Sequence, residues 1–146
     1  MIACLDLEGV LVPEIWINVA LKTGIEELKI TTREMPDYDK LMKRRLAILD
    51  EHKLTIADIQ SVIDKMGPLE GAPAFVTWLR ERCQVIILSD TFDEFARPLM
   101  RQLGWPTLFC HSLEVSDGRI VNYRLRQPDQ KRHAVAALRS LNFRVL

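Results

Sequence analysis

Two short apolar runs, each followed directly by polar residues, constrain the fold of this chain most. Residues 1–5 form an unbroken apolar run that ends at Asp6, and residues 85–88 form a β-branched run that ends at Ser89. Such runs, without alternating polar positions, are typical of strands buried on both faces of a parallel sheet. Because helical patterns follow both runs, the sequence predicts an open, mostly parallel α/β sheet.

A helical region separates the two runs. Residues 13–67 carry many charges and repeat apolar residues at helical spacing. Within this region Thr55, with Asp58 three positions later, comes close to a capping box. We therefore expect a helical cap of residues 13–67 inserted into an α/β core of residues 1–12 and 68–146.

The second half of the chain alternates between strand and helix patterns. A helix is predicted for residues 92–103, with a kink or a break at Pro98, because proline lacks the amide that a helix needs. Residues 117–118, an Asp-Gly pair, predict the turn of a β-hairpin, and Asp129 is a candidate N-cap of a further helix. Residues 143–146 have the pattern of another buried strand.

Composition argues against several classes of function. The 20 basic residues balance the 20 acidic ones, so general nucleic-acid binding, which needs a basic surplus, is not expected. No apolar stretch approaches the roughly 20 residues that span a bilayer. The N-terminus also lacks the pattern of a signal peptide. We therefore expect a cytoplasmic protein that does not bind membranes.

The cysteines and histidines do not predict a metal site. Cys4, Cys83 and Cys110 lack metal-ligand spacing, and each lies in or beside an apolar run. We expect reduced, buried thiols at these three positions. The three histidines are scattered and form no pair at helical spacing, so a histidine metal site is not expected either.

Asp6 and Glu8 form the first candidate site. Residues two apart on an extended chain point to the same side, so two carboxylates converge after the first strand. Such a pair can bind Mg²⁺, or one carboxylate can attack phosphorus while the other acts as general acid and base. The alternative is a pair of acidic loop residues exposed to solvent.

Three further side chains are candidates for binding an anionic group. Ser89 precedes a predicted helix, where its hydroxyl and free N–H groups can hold phosphate, unless Ser89 or Asp90 is only an N-cap. Lys131 lies in the first turn of a predicted helix, where a cation is unfavourable without an anionic partner; the alternative is an exposed lysine. Arg45 shares a helical face with Tyr38 and either clamps an anion or is a surface arginine.

The order of these features resembles the haloacid dehalogenase superfamily of phosphotransferases over essentially the whole chain. The matching parts are Asp6-Leu7-Glu8-Gly9-Val10-Leu11, the helical insertion, Ile87-Leu88-Ser89-Asp90-Thr91-Phe92 and Lys131. The chain is most similar to phosphoserine phosphatases, and closest to the branch described as bifunctional phosphoserine phosphatase and homoserine phosphotransferase. The resemblance implies a Rossmann-like core with a helical cap, a Mg²⁺ cofactor, and O-phospho-L-serine and homoserine as small-molecule partners.

The resemblance also implies roles for residues of the predicted core. Asp6 matches the aspartate that is phosphorylated and binds Mg²⁺. Glu8 matches the general acid and base, whose backbone carbonyl also binds the metal. Ser89 matches the phosphate-binding hydroxyl, Asp90 lies beside it in the substrate pocket, and Lys131 matches the lysine that neutralises the phosphate.

Three residues of the predicted cap match the part of the family site that recognises the substrate. Glu14 and Arg45 match residues that grip the amino and carboxylate groups of the substrate. Tyr38 is expected to line the same cavity. The resemblance thus implies a site shared between the cap and the core.

Three departures from the family pattern modify this interpretation. Most relatives have aspartate where this chain has Glu8, and the longer side chain is expected to favour transfer to an alcohol over water. Glycines usually follow the motif serine, whereas this chain has Asp90-Thr91; both departures fit the phosphotransferase branch. The family's G-D-x-x-x-D-type motif, which completes the metal site, falls beyond Leu146, so we expect a fragment of a longer enzyme or a shortened, inactive homologue.

The predicted reaction is transfer of phosphate from O-phospho-L-serine to Asp6, and then to water or an alcohol such as homoserine. One alternative keeps the fold and replaces the substrate with another small phosphomonoester. A second alternative is a non-catalytic binding module that keeps the pocket without turnover. The sequence does not fix the oligomeric state, and a homodimer is one alternative.

Overall fold

The computed structural model describes residues 1–146 and contains four strands, six α-helices and one 3₁₀ turn. In chain order the elements are β1 (Ile2–Leu5), α1 (Ile15–Thr23), the 3₁₀ turn (Glu26–Lys29), α2 (Tyr38–Glu51), α3 (Ile56–Met66), α4 (Ala72–Arg80), β2 (Gln84–Phe92), α5 (Asp93–Gln102), β3 (Thr107–Ser116), β4 (Arg119–Arg124) and α6 (Gln130–Ser140).

The strands form one sheet in the order β1-β2-β3-β4. The first three strands run parallel, and β4 pairs antiparallel with β3. Asp117 and Gly118 join β3 to β4 with positive φ angles of 49° and 76°, which Asp-Gly turns of hairpins favour. The predicted mostly parallel α/β sheet with a β-hairpin is therefore confirmed.

A bulge in β2 shapes the end of the sheet where ligands bind in α/β folds. Leu88 pairs with Phe109, and Phe92 pairs with His111, so four steps along β2 match only two along β3. Residues 89–91 lie between these two pairs opposite Cys110 alone, so β2 has two surplus residues, and the regular ladder is interrupted. A bulge re-aims the side chains it contains, and here it does so at the carboxyl end of the central parallel strands.

The alternative that Ser89 or Asp90 is only an N-cap is wrong. β2 continues through these residues, and α5 begins only at Asp93, with Phe92 in the N-cap position. Phe92 pairs with His111 of β3 in an extended conformation, and its side chain is fully buried in the core. The polar residues that follow the apolar run therefore belong to the strand rather than to the helix start.

Pro98 lies inside α5, which continues through it, so of the predicted kink or break the break does not occur. A proline here leaves the carbonyl of Glu94, four residues earlier, without its helical donor. The side chain of Gln60, from α3, donates its Nε2 to this carbonyl at 3.0 Å. A neighbouring helix therefore supplies the hydrogen bond that the proline removes.

The region between β1 and α4 is helical, as predicted. α3 begins with a capping box, in which Asp58 donates its amide to Thr55 Oγ1 at 3.2 Å and accepts the Thr55 amide at 2.8 Å. One hydrophobic cluster contains residues of these helices and of the elements that follow them. In it the ring of Trp16, from α1, meets the ring of Phe95, from α5, edge to face. The division into a cap of residues 13–67 and a core stays a prediction, since this cluster joins the two parts.

The segment 143–146 pairs beside β1. The Ile2 amide donates to the Arg144 carbonyl at 2.8 Å, and the Leu146 amide donates to the Ile2 carbonyl at 2.9 Å. The strand-like pairing therefore agrees with the sequence pattern. The prediction that this strand is buried is wrong, because Phe143 and Leu146 are exposed.

The structure also bears on the cysteines and on the membrane. Cys4, Cys83 and Cys110 are all free, and each is half-buried rather than fully buried as expected. Burial raises the pKa of the Cys110 thiol to about 12, so this thiol is unreactive at neutral pH. No helix combines the length and the apolar content that crossing a membrane requires.

Candidate active site

Asp6 follows β1 and forms an ion pair with Lys131 at the start of α6. Lys131 Nζ donates to Asp6 Oδ2 at 2.8 Å, and the amide of Leu7 donates to Asp6 Oδ1 at 2.8 Å. The same Nζ lies 3.9 Å from Asp90 Oδ2. The side chains of Lys131 and Asp6 are 39% and 44% exposed, so an incoming anion can reach both. Lys131 thus has the anionic partner that its position in the helix requires.

Glu8, two residues after Asp6, is more buried than Asp6. Its Oε1 accepts the amide of Ile15, the first residue of α1, at 2.8 Å. Burial raises the pKa of Glu8, against the lowering effects of this hydrogen bond and of the Arg45 charge. A carboxyl that keeps its proton to higher pH is suited to general acid catalysis.

A cavity of about 240 Å³ lies between α1, α2 and the end of β2. Five of the eight candidate residues line it: Glu8, Glu14, Tyr38, Arg45 and Asp90. The other three, Asp6, Ser89 and Lys131, lie outside its lining. The predicted convergence of Asp6 and Glu8 is therefore only partial, because their side chains enter different spaces.

Arg45 is buried in the wall of this cavity. It is only 7% exposed, so the alternative of a surface arginine is wrong. Its guanidinium stacks over the Trp16 ring, and Nη2 donates to the Ile30 carbonyl at 2.9 Å. Nε has no hydrogen-bond partner. Burial lowers the pKa of Arg45 to about 10, which still leaves the group charged at neutral pH.

Tyr38 and Glu14 complete the polar wall of the cavity. The Tyr38 hydroxyl donates to the Asp90 carbonyl at 3.3 Å, and burial raises its pKa, so the phenol stays protonated. Glu14 precedes α1 in the N-cap position, but its exposed side chain forms no capping bond. Its carboxylate is therefore available to a ligand in the cavity.

Ser89 lies within the bulge of β2 and is 1% exposed. Its Oγ accepts the amide of Thr91 at 3.2 Å, a bond that stabilises the bulge itself. The side chain of Thr91, rather than that of Ser89, reaches the cavity lining. The phosphate-binding role of Ser89 stays a prediction.

The start of α6 is tied to the bulge through Gln130. Its Nε2 donates both to the Ser89 carbonyl and to Asp90 Oδ1, the latter at 3.2 Å. The predicted capping by Asp129 is wrong, because Asp129 occupies the N-cap position but its carboxylate pairs with Arg132 instead. The side chain of Gln130, rather than that of Asp129, therefore fixes the start of α6 against the sheet.

His111 ends the parallel pairing of β3 and faces Asp90. Its Nδ1 accepts the amide of Arg126 at 2.9 Å, and its Nε2 lies 3.4 Å from Asp90 Oδ1. The pKa of Asp90 lies below its usual value, chiefly because of His111. Partial burial raises this pKa, but Gln130 and Lys131 lower it further. Asp90 is therefore held as a carboxylate at the junction of the cavity and the ion pair.

Sequence reasoning missed two residues of this arrangement, His111 and Gln130. Both are almost completely buried. A signal for His111 was present, because it directly follows the apolar run 107–110 at the edge of the sheet that carries Asp6. No comparable signal marks Gln130, since its role depends on how α6 meets the bulge of β2.

The oxygen donors near Asp6 fit a magnesium ion. The Asp6 carboxylate is accessible, and no hydrogen-bond donor contacts the backbone carbonyl of Glu8. The structure has no cluster of three or more His, Cys, Asp or Glu side chains that could hold a metal. Mg²⁺ is nevertheless often held by one or two protein oxygens together with water and substrate phosphate, and these two donors suit that mode.

Comparison with known proteins identifies the family of this chain. The family model of haloacid dehalogenase-like hydrolases matches residues 2–145. The chain belongs to this family. Among its relatives, phosphoserine phosphatase ThrH of Pseudomonas aeruginosa is 67% identical over 146 residues, which cover 99% of this chain and 71% of the relative. A phosphoserine phosphatase of Pseudomonas syringae pv. tomato is 66% identical, over 99% of this chain and 62% of the relative.

Solved structures show the same fold. A substrate-bound phosphoserine phosphatase complex matches this haloacid dehalogenase-like hydrolase with a TM-score of 0.78 at 21% identity, over 97% of this chain and 71% of that one. A phospho-aspartyl intermediate analogue of phosphoserine phosphatase matches with a TM-score of 0.76 at 20% identity, over 98% of this chain and 73% of that one. The predicted haloacid dehalogenase-like fold is therefore confirmed.

Proposed function

We propose that this haloacid dehalogenase-like hydrolase is a Mg²⁺-dependent phosphoserine phosphatase that works through a phosphorylated Asp6. The observation that carries the proposal is the buried guanidinium of Arg45, with its unpartnered Nε, in a cavity beside the Asp6–Lys131 ion pair. The names of the two curated relatives, at 67% and 66% identity, support the same substrate.

The charges around the cavity suit an amino acid that carries a phosphate. Arg45 offers a buried cation to the α-carboxylate, and its planar guanidinium favours a carboxylate over a point charge. Glu14 offers an uncommitted carboxylate to the ammonium group. The phosphate of the same molecule would extend towards Asp6 and Lys131, which lie next to the cavity and remain exposed.

The reaction follows in two steps. Asp6 attacks phosphorus, the bond between phosphorus and the serine oxygen breaks, and the leaving oxygen takes the proton of Glu8. Water then gives a proton to Glu8 and attacks the aspartyl phosphate, which releases inorganic phosphate and restores Asp6. The raised pKa of Glu8 supports its role as the acid in the first step.

Positive charge around the transferred group supplies most of the acceleration in this proposal. Lys131 Nζ, 2.8 Å from Asp6, is placed to neutralise the phosphate oxygens, and Ser89 is proposed as a further donor. Mg²⁺, held by the Asp6 carboxylate and the Glu8 carbonyl, would supply additional charge neutralisation at the phosphate.

The acceptor in the second step is water or the hydroxyl of homoserine. Homoserine carries the same carboxylate and ammonium groups as serine, so Arg45 and Glu14 can hold it after serine leaves. Glu8 would then remove the proton of the homoserine hydroxyl instead of that of water. Measuring O-phosphohomoserine and inorganic phosphate together, at increasing homoserine concentration, gives the partition between the two acceptors.

Replacing Asp6 by asparagine tests the nucleophile. Asp6→Asn should lower kcat for O-phospho-L-serine by more than about 10³-fold, because the amide cannot form the acyl phosphate. Asp129→Asn is a matched control, since Asp129 is an exposed carboxylate that precedes α6 and pairs with Arg132. A hydroxylamine-sensitive phosphoprotein should form with the parent and the control but not with Asp6→Asn. Turnover by Asp6→Asn at the parent rate would overturn the mechanism.

A further inference from the structure

The hydrogen bonds of His111 determine which of its ring nitrogens carries the proton. His111 is 4% exposed, and its Nδ1 accepts the main-chain amide of Arg126 at 2.9 Å. A nitrogen that accepts an N–H cannot itself carry a proton, so the proton of the neutral ring lies on Nε2. Nε2 faces Asp90 Oδ1 at 3.4 Å. The connection between β4 and α6 therefore selects the tautomer that presents a donor to Asp90.

A second buried side chain, Gln130, contacts the carboxylate oxygen that His111 Nε2 faces. Gln130 Nε2 donates to Asp90 Oδ1 at 3.2 Å. The amide of Gln130 cannot be reversed without loss, because its Oε1 accepts from Arg126 Nε at 3.1 Å. Asp90 Oδ1 is thus approached from two sides, and the other oxygen, Oδ2, is left facing Lys131 at 3.9 Å.

We propose that His111 is a positioning residue, which orients the Asp90 carboxylate so that one oxygen faces Lys131. Asp90 in turn keeps the flexible Lys131 side chain beside Asp6. The proposal rests on the proposed function, in which Lys131 neutralises charge at Asp6.

A second fixed carboxylate is useful because the charge on Asp6 changes during the proposed reaction. Lysine ends in a compact charge on a flexible stem, so its position depends on its anionic neighbours. When Asp6 carries a phosphoryl group, its Oδ2 no longer presents the same partner to Lys131. Asp90, held by two buried donors, would still do so. The lowered pKa of Asp90 is consistent with a carboxylate that stays ionised throughout.

Two substitutions of His111 separate its two contacts. In His111→Asn the short side chain can still accept the Arg126 amide, but its amide group cannot reach Asp90. In His111→Gln the longer side chain places an N–H donor near the position of Nε2. A role limited to packing or to the Arg126 contact would favour the asparagine variant, whereas positioning of Asp90 would favour the glutamine variant.

The first measurement is the tautomer of His111 in the parent protein, by long-range ¹H–¹⁵N correlation of the imidazole ring. The signal is assigned by its loss in His111→Asn. A ring protonated at Nε2 alone is the expected result. A ring protonated at Nδ1, or at both nitrogens, at neutral pH would overturn the proposal. This measurement needs no turnover.

The second measurement is a double-mutant cycle between His111→Asn and Asp90→Asn, with O-phospho-L-serine and an aryl phosphate as substrates. His111→Asn should lower kcat about tenfold, within the usual range for coupled neighbours, and His111→Gln should recover it to within about threefold of the parent. In the Asp90→Asn background, His111→Asn should cause no further loss. Independent, multiplying losses, or equal losses in the two His111 variants, would overturn the proposal.

The two substrates separate failure of this proposal from failure of the proposed function. If only the aryl phosphate is hydrolysed, the assigned substrate is wrong, and the cycle is still measured with that substrate. If neither is hydrolysed, the ¹³C shift of the Asp90 carboxyl decides. It should change in His111→Asn and be restored in His111→Gln; an unchanged shift in His111→Asn would overturn the proposal.

Discussion

Replacing Arg45 by methionine tests whether this buried guanidinium binds the carboxylate of the substrate. Methionine keeps an unbranched apolar side chain at this position and removes the charge. One donor of Arg45 is already used by the Ile30 carbonyl, and Nε remains free. A hydrogen bond to a charged group contributes about 1.5–3 kcal/mol, so losing one such bond to substrate should lower kcat/KM about 10- to 150-fold.

The assay compares two substrates under identical conditions. Kinetics are measured with O-phospho-L-serine and with an aryl phosphate that lacks a carboxylate. The loss should appear mainly in KM for phosphoserine and should be less than about threefold for the aryl phosphate, because the reacting groups are unchanged. Arg45→Lys should recover only part of the affinity, since an ammonium lacks the planar guanidinium that stacks over Trp16.

Thermal unfolding of each variant separates binding from folding. In Arg45→Met the Ile30 carbonyl loses its donor, which lowers stability. The cost of burying a charge, which lowers the pKa of Arg45, also disappears, so the two effects on stability oppose each other. Equal losses with both substrates, in a protein that remains folded, would refute the reasoning. Such a result would favour a phosphatase for another small phosphomonoester.

Two further predictions concern stability. Burial raises the pKa of Glu8 above its value in the unfolded chain, so the folded protein binds the carboxyl proton more tightly than the unfolded chain does. The stability of the folded protein therefore falls as the pH rises above the unfolded pKa of about 4.3. Glu8→Gln should therefore gain stability relative to the parent in thermal unfolding as the pH rises from below to above the unfolded value of about 4.3; a difference that does not change with pH would contradict it. Gln60→Ala should lower the free energy of unfolding by about 1–2 kcal/mol, because the Glu94 carbonyl loses its donor, and the loss should shrink when Pro98→Ala restores the helical amide. Equal losses in denaturant titrations of both backgrounds would argue against this cause.

The sheet was predictable because its signals are local. The runs at residues 1–5 and 85–88 are short, apolar and closed by polar residues, and this pattern has few other solutions than a buried parallel strand. The Asp117-Gly118 turn is equally local, since it depends on two residues that tolerate positive φ. The capping box at Thr55 belongs to the same class.

The errors arise where a distant residue satisfies a local need. Pro98 removes a helical donor, and Gln60, 38 residues earlier in the chain, replaces it across the helix interface; no rule about the sequence around Pro98 could show this. The bulge in β2 is similar, because it is visible only in the register with β3. The roles of Glu14, Tyr38 and Ser89, the acceptor and a homodimer stay predictions.

Asp90 shows why the residues of such a site are better considered as a set. The family pattern expects glycine after the motif serine, and considered alone Asp90 is one added carboxylate. In the structure, His111 and Gln130 are buried donors that both face this carboxylate. Glycine at position 90 would remove the acceptor that His111 Nε2 faces, at a cost of about 1–3 kcal/mol, whereas Gln130 would keep the Ser89 carbonyl. The side chain at position 90 is therefore best considered together with His111 and Gln130, because each of the two buried donors faces it.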